Sequence, residues 1–149
     1  LESQYLYHLG PEPLVDDFDG YYLYTRARGR RTAVKNFIMD GRIVVGVGNI
    51  YASEALFRSG IRPTRAAGRI ALERYSLLVT AIQTVLGEAI AAGGTTLRDY
   101  SRVTGEPGYF EQALKVYARQ GQPCEACGDL INRKVIGQRA SYYCPSCQH

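Results

Sequence analysis

Four cysteines constrain this chain more than any other feature. All fall in its last 26 residues, as Cys124-Glu-Ala-Cys127 and Cys144-Pro-Ser-Cys147, with 16 residues between the pairs. Each CxxC turns two thiolates toward one tetrahedral ion, and the spacer suffices for a hairpin that brings the pairs together. The stretch 132–143, NRKVIGQRASYY, fits two short strands around Gly137. The competing reading is a pair of disulfides in a secreted chain. The opening LESQ shows no basic start followed by an apolar stretch, so no secretory leader is expected, and no cysteine lies elsewhere. One zinc ion held by Cys124, Cys127, Cys144 and Cys147 is therefore expected. With all four positions filled by protein, the site is structural and not catalytic. His8 and His149 are expected at solvated chain ends, not as ligands.

Upstream of the cysteines the periodicity is helical. Tyr75, Leu78, Val79, Ile82, Val85, Leu86, Ala89 and Ile90 recur at three- and four-residue spacing, one apolar stripe on a long helix that Gly93-Gly94 stops. Two shorter helices are expected over 17–28 and 32–39. A third starts at Asn49, with Ile50, Leu56 and Phe57 as inward candidates, after a turn-rich connection over 40–48. Gly10-Pro11-Glu12-Pro13 admits no helix, so residues 1–14 read as a linker. The division is then linker 1–14, a helical domain 15–114 and a cysteine module 115–149. Uninterrupted apolar runs are only a few residues long, short of the roughly 20 that span a bilayer, so no membrane partner is expected.

The charge leans toward polyanions. The net charge is +4, and of 18 basic residues 15 are Arg and three are Lys (Lys35, Lys115, Lys134). Arg forks onto phosphate oxygens, although an exposed solvated surface gives the same composition. The run Val45-Gly-Val-Gly-Asn49-Ile-Tyr51 looks like a dinucleotide fingerprint, but the third glycine position is Tyr51 and the run follows a helix. Its glycines instead let a backbone approach closely. Asn49 either presents its amide to a phosphate or caps its own helix.

Four motifs in order carry a family resemblance: Gly46-Val-Gly-Asn49-Ile-Tyr-Ala-Ser-Glu54, Gly93-Gly-Thr-Thr-Leu97, Gly108-Tyr-Phe110 with Val116-Tyr117, and the cysteine module with Gln138-Arg139-Ala140. Together they resemble the C-terminal half of bacterial formamidopyrimidine-DNA glycosylases, which remove oxidised purines such as 8-oxoguanine. The sister endonuclease VIII family shares the architecture, but Gly105-Glu-Pro-Gly-Tyr-Phe110 resembles the formamidopyrimidine branch more closely. The resemblance implies a mainly α fold: a helix–two-turn–helix domain followed by a four-cysteine zinc-finger β-hairpin, forming one wall of a DNA cleft. It implies that Asn49 contacts phosphates at the lesion and that Arg30 and Lys35 contact DNA. Arg139 at the hairpin tip would grip the phosphate beside the flipped nucleotide and donate a proton in the second elimination step. Residues 96–108 would correspond to a loop closing over the everted base. The implied partner is double-stranded DNA carrying oxidised-base or abasic lesions, bound by a monomer in the bacterial cytoplasm, at the nucleoid.

These roles are physically coherent, because a base must leave the duplex before it is attacked, and fixed cations can hold the distorted backbone. The family's nucleophile is an N-terminal proline followed by a glutamate, whereas this chain opens Leu1-Glu2. The expectation is a DNA-binding half that by itself forms no covalent adduct with an abasic site. The other classes are a free-standing zinc-finger DNA binder and a protein adaptor, the latter with little salt dependence in DNA binding.

Overall fold

A computed structural model describes residues 9–15, 17–93 and 114–149. Within them the chain forms four α-helices, one 3-10 turn (Ala67–Arg69) and a two-stranded antiparallel hairpin. Helix α1 spans Gly20–Ala27, α2 Val34–Met39, α3 Asn49–Ser59 and α4 Leu72–Gly93; β1 is Asn132–Ile136 and β2 Arg139–Tyr143. The architecture is the expected one, mainly helical with a terminal cysteine hairpin.

Local chemistry moves the helix starts. The first begins at Gly20 and not at 17, because Asp19 takes an extended backbone and its carboxylate accepts the Tyr22 N–H at 2.8 Å as an N-cap. The second starts two residues later than the spacing predicts, because Ala33 pairs with Ala66 in an antiparallel bridge. The third starts at Asn49 as expected and stops at Gly60, whose φ of 74° a glycine adopts without strain. The fourth begins at Leu72 and runs to Gly93. Gly94, the loop at 96–108 and the Gly105–Phe110 motif lie outside the described residues.

The α4 stripe is the wall on which the body is built. Tyr75, Leu78, Val79, Ile82, Val85, Leu86 and Ala89 are buried against α1 and α3, and Ile90 is half-buried. Taken over Leu72–Ala92, this helix has a mean hydropathy of 1.4, enough by length and composition to cross a membrane. Its packing explains that composition, since one face is the centre of a core running from Phe18 to Leu114. Of the inward candidates on α3, Leu56 is buried, whereas Ile50 and Phe57 are half-buried.

A second, small cluster comprises Val116, Cys124, Ile131, Tyr142 and Cys144, with Phe57 packed against it from α3. The described part of the N-terminal stretch also packs on the body. Gly10 N–H donates to Gly41 O at 2.8 Å, Val45 N–H to Pro11 O at 3.1 Å, and Gln83 Nε2 to Pro13 O at 3.1 Å.

Candidate nucleic-acid interface and zinc centre

The hairpin carries Arg139 directly beside its turn. Strands β1 and β2 pair in the register Asn132↔Tyr143 to Ile136↔Arg139, leaving a two-residue turn of Gly137 and Gln138. Both have positive φ, 56° and 71°, the signature of a primed hairpin turn. The turn thus sits where the sequence put it, around Gly137, and Arg139 leaves it exposed to solvent.

Below the hairpin, the four cysteine sulfurs lie within 4.8 Å of one another. The Cys127–Cys144 and Cys124–Cys147 separations are 3.5 and 3.9 Å. Zinc–sulfur bonds of ~2.3 Å in a tetrahedron require sulfur–sulfur edges of about 3.8 Å, whereas a disulfide requires about 2 Å. The donor set therefore fits one structural zinc ion and excludes disulfide pairing.

The finger is fastened to the helical body at three points. Buried Glu54 on α3 accepts three backbone N–H groups from the turn segment entering the finger: Lys115 at 2.7 Å, Val116 at 2.9 Å and Tyr117 at 2.8 Å. Buried Gln148 donates to Ile61 O at 2.9 Å and accepts from Cys144 N–H at 2.7 Å, while Arg62 reaches Pro145 O at 2.6 Å. The third point lies at the interface itself. Asn49 Nδ2 donates to Ala140 O at 3.0 Å, tying the start of α3 to β2 beside Arg139.

Asn49 does not cap its own helix. Gly48 is the N-cap, without a side-chain bond, and the Asn49 side-chain oxygen instead accepts a hydrogen bond from Lys35 Nζ. Lys35 is fully buried on α2. Burial first, and the nearby Arg139 charge second, lower its ammonium from 10.5 to about 8. Among the described residues neither Lys35 nor Arg139 has a carboxylate within ion-pair distance; the pairs recorded lie at Asp40, Glu88 and Glu125. Three of the four sequence-predicted contact residues thus converge, from two helix starts and a hairpin tip. Arg30 does not join them: its Nε donates to Arg26 O, and its guanidinium lies 5.6 Å from the centre of the Phe37 ring.

The Lys35 shift has two consequences of fixed sign. Because the folded-state value lies below the unfolded one, the unfolded chain binds more protons between them, so stability rises with pH from about 8 to 10.5. The cluster loses a cation over the same rise. The rise of stability with pH above about 8 is expected in thermal unfolding, and Lys35→Met is expected to flatten that profile. A Lys35→Met protein with an unchanged pH profile would assign the titration elsewhere.

Glu54, Arg62 and Gln148 were not identified as functional from the sequence. Glu54 appeared only as a motif letter, yet it stands among buried Tyr51, Ala52, Ala55 and Leu56. A charged residue on the inward side of a helix was the available signal. Gln148 and Arg62 bond across 83–87 residues and leave no local pattern.

A helical body that grips a zinc hairpin, with cations converging at the hairpin tip, defines the class of helix–two-turn–helix zinc-finger proteins. Two family descriptions match: "Formamidopyrimidine-DNA glycosylase H2TH domain" over residues 9–101 and "Zinc finger found in FPG and IleRS" over 121–149. The formamidopyrimidine-DNA glycosylase of Syntrophotalea carbinolica is 62% identical over 143 residues, covering 96% of this chain and 53% of that protein. That of Alkalilimnicola ehrlichii is 60% identical over 148 residues, covering 99% and 53%. Among solved structures, the MutM (Fpg) protein of Thermus thermophilus superposes with a TM-score of 0.83 at 40% identity, covering 99% of this chain and 56% of that one. The Lactococcus lactis Fpg, solved with abasic-site DNA, gives 0.85 at 31% identity, covering 99% and 55%. The chain belongs to the formamidopyrimidine-DNA glycosylase family, and it spans about half the length of the curated relatives it matches.

Proposed function

We propose that these residues form the DNA-gripping half of a base-excision glycosylase acting on oxidised purines, and that its ligand is duplex DNA with an oxidised-base or abasic lesion. One observation carries this reading. Buried Lys35 and exposed Arg139 lie near one another without a carboxylate, and Asn49, bonded to Lys35 Nζ and to Ala140 O, spans the space between α2 and the tip of a zinc-braced hairpin. Two adjacent cations with no protein anion are an electrostatic deficit that a phosphate relieves. Asn49 then contacts a phosphate at the lesion and Arg139 the phosphate flanking it, while Lys35, expected to touch DNA itself but fully buried, acts through Asn49. Arg30 contributes a separate, outlying contact. On this reading Arg139 also serves as the proton donor of the second elimination step in a lyase reaction of the whole protein. The division at 114/115 fits the change from one apolar cluster, ending at Leu114, to the other, beginning at Val116. On this reading the protein works as a monomer in the bacterial cytoplasm.

Removal of one charged phosphate contact costs about 1.5–3 kcal/mol, so Arg139→Ala is expected to weaken binding to an abasic-analogue duplex about 10- to 100-fold. Fluorescence anisotropy measures this, and unaltered affinity would contradict the assignment. These residues are also expected to bind without cutting. The Lys35 amine is bonded to Asn49 and buried, so it is poorly placed to attack a sugar carbon. Borohydride trapping on an abasic duplex is expected to give no adduct; a covalent adduct would overturn this part.

A further inference from the structure

Arg139 is useful only if its backbone is held still, and Asn49 secures one side of it, through Ala140 O. The other side is the turn. A β-carbon on Gly137 would lie 2.6 Å from Asn36 Nδ2 and 2.8 Å from its Oδ1, far inside contact distance. The Asn36 carboxamide therefore occupies the space that a side chain at position 137 would need. Among the described residues it forms no hydrogen bond that would otherwise explain its placement. Asn36 follows Lys35 on α2, so the element that supplies the buried ammonium also touches the turn that supplies the guanidinium.

We propose that Asn36 is a positioning residue: its carboxamide, seated on Gly137, and Asn49, bonded to Ala140, bracket residues 138–139 and fix the direction in which Arg139 leaves the hairpin. A bidentate donor needs a preset direction. Contacts on both flanks hold the backbone and leave the Arg139 side chain exposed to a ligand. The bracket also gives Gly137 a second reason to be glycine, beyond its positive φ of 56°. Any side chain there would displace Asn36 and turn the tip.

This proposal rests on the DNA-binding reading, and its test separates the two. Asn36→Ala and Arg139→Ala, singly and combined, are titrated against an abasic-analogue duplex. Groups acting through one another couple non-additively, so Asn36→Ala is expected to lose roughly three- to tenfold and the double variant to bind no worse than Arg139→Ala alone. Wild-type affinity for Asn36→Ala, or losses that multiply in the double variant, would overturn it. A second cycle needs no DNA: Gly137→Ala lowers Tm, and adding Asn36→Ala is expected to restore part of that loss. Purely additive drops would overturn the contact itself. If the unmodified protein binds no duplex, the DNA-binding reading fails, and the thermal cycle decides the Asn36–Gly137 contact alone.

Discussion

Removing zinc is expected to disorder the whole finger while the helical body stays folded. The reason is the size of what the metal holds. The finger's own apolar cluster has five buried members, two of which are the ligands Cys124 and Cys144. Modules below about 40 residues rarely fold without a metal or disulfide, and structural zinc contributes roughly 10–16 kcal/mol in finger peptides. Chelation, or Cys144→Ser, is expected to erase the β-hairpin signals of 122–149 and keep most of the helical far-UV circular dichroism. The body does not escape unharmed. It loses the Arg62, Gln148 and Asn49 bonds to the finger, and Glu54 loses the ordered backbone that it binds. A Tm lower by about 5–10 °C is the expected signature of such a loss in a domain this size. Complete loss of helicity would show that the two parts fold as one unit, and an intact hairpin would refute the metal's structural role.

The second large effect belongs to Glu54. Its carboxylate is fully buried and satisfies three consecutive backbone N–H groups, at 2.7, 2.9 and 2.8 Å. Glu54→Ala leaves all three donors without a partner and opens a void, and orphaned buried donors cost about 1–3 kcal/mol each. A destabilisation of about 3–5 kcal/mol is expected, at the upper end for single substitutions. Glu54→Gln is expected to fall between, because one oxygen remains while an NH2 faces donors. The comparison is Glu88, paired with Arg58 at 2.9 Å on a half-exposed surface. Pairs of that kind contribute about 0–1 kcal/mol, so Glu88→Gln should barely move the unfolding midpoint. Denaturant titration of the three variants checks the order. A Glu54→Ala protein as stable as Glu88→Gln would mean the three bonds hold nothing together.

What was legible in the sequence was whatever repeats or is spaced. The stripe from Tyr75 to Ala89 marked α4, the two CxxC pairs marked the zinc centre, and Gly137 marked the turn that directs Arg139. Helix starts were less legible, because a single competing interaction moves them, as the Ala33–Ala66 bridge does for α2. The composition of the interface was partly legible, since Lys35, Asn49 and Arg139 were singled out and the structure brings them together. The route by which they meet was not. A buried lysine bonded to an asparagine 14 residues away, and that asparagine to a carbonyl 91 residues away, follow no period. The Glu54 and Gln148 fastenings are hidden for the same reason: each pairs a side chain with distant backbone, which any sequence supplies.

The most direct test is a titration of this chain against a duplex carrying a stable abasic analogue and against its undamaged twin, at several salt concentrations. Cations converging on phosphate release counterions, so the expected result is binding that weakens steeply with salt, with log affinity falling by roughly 0.9 per neutralised phosphate for each tenfold rise in salt. A preference for the damaged duplex would show that the Lys35–Asn49–Arg139 cluster and the finger sense a weakened backbone by themselves. No binding, or binding indifferent to salt, would contradict the assignment of this surface to DNA.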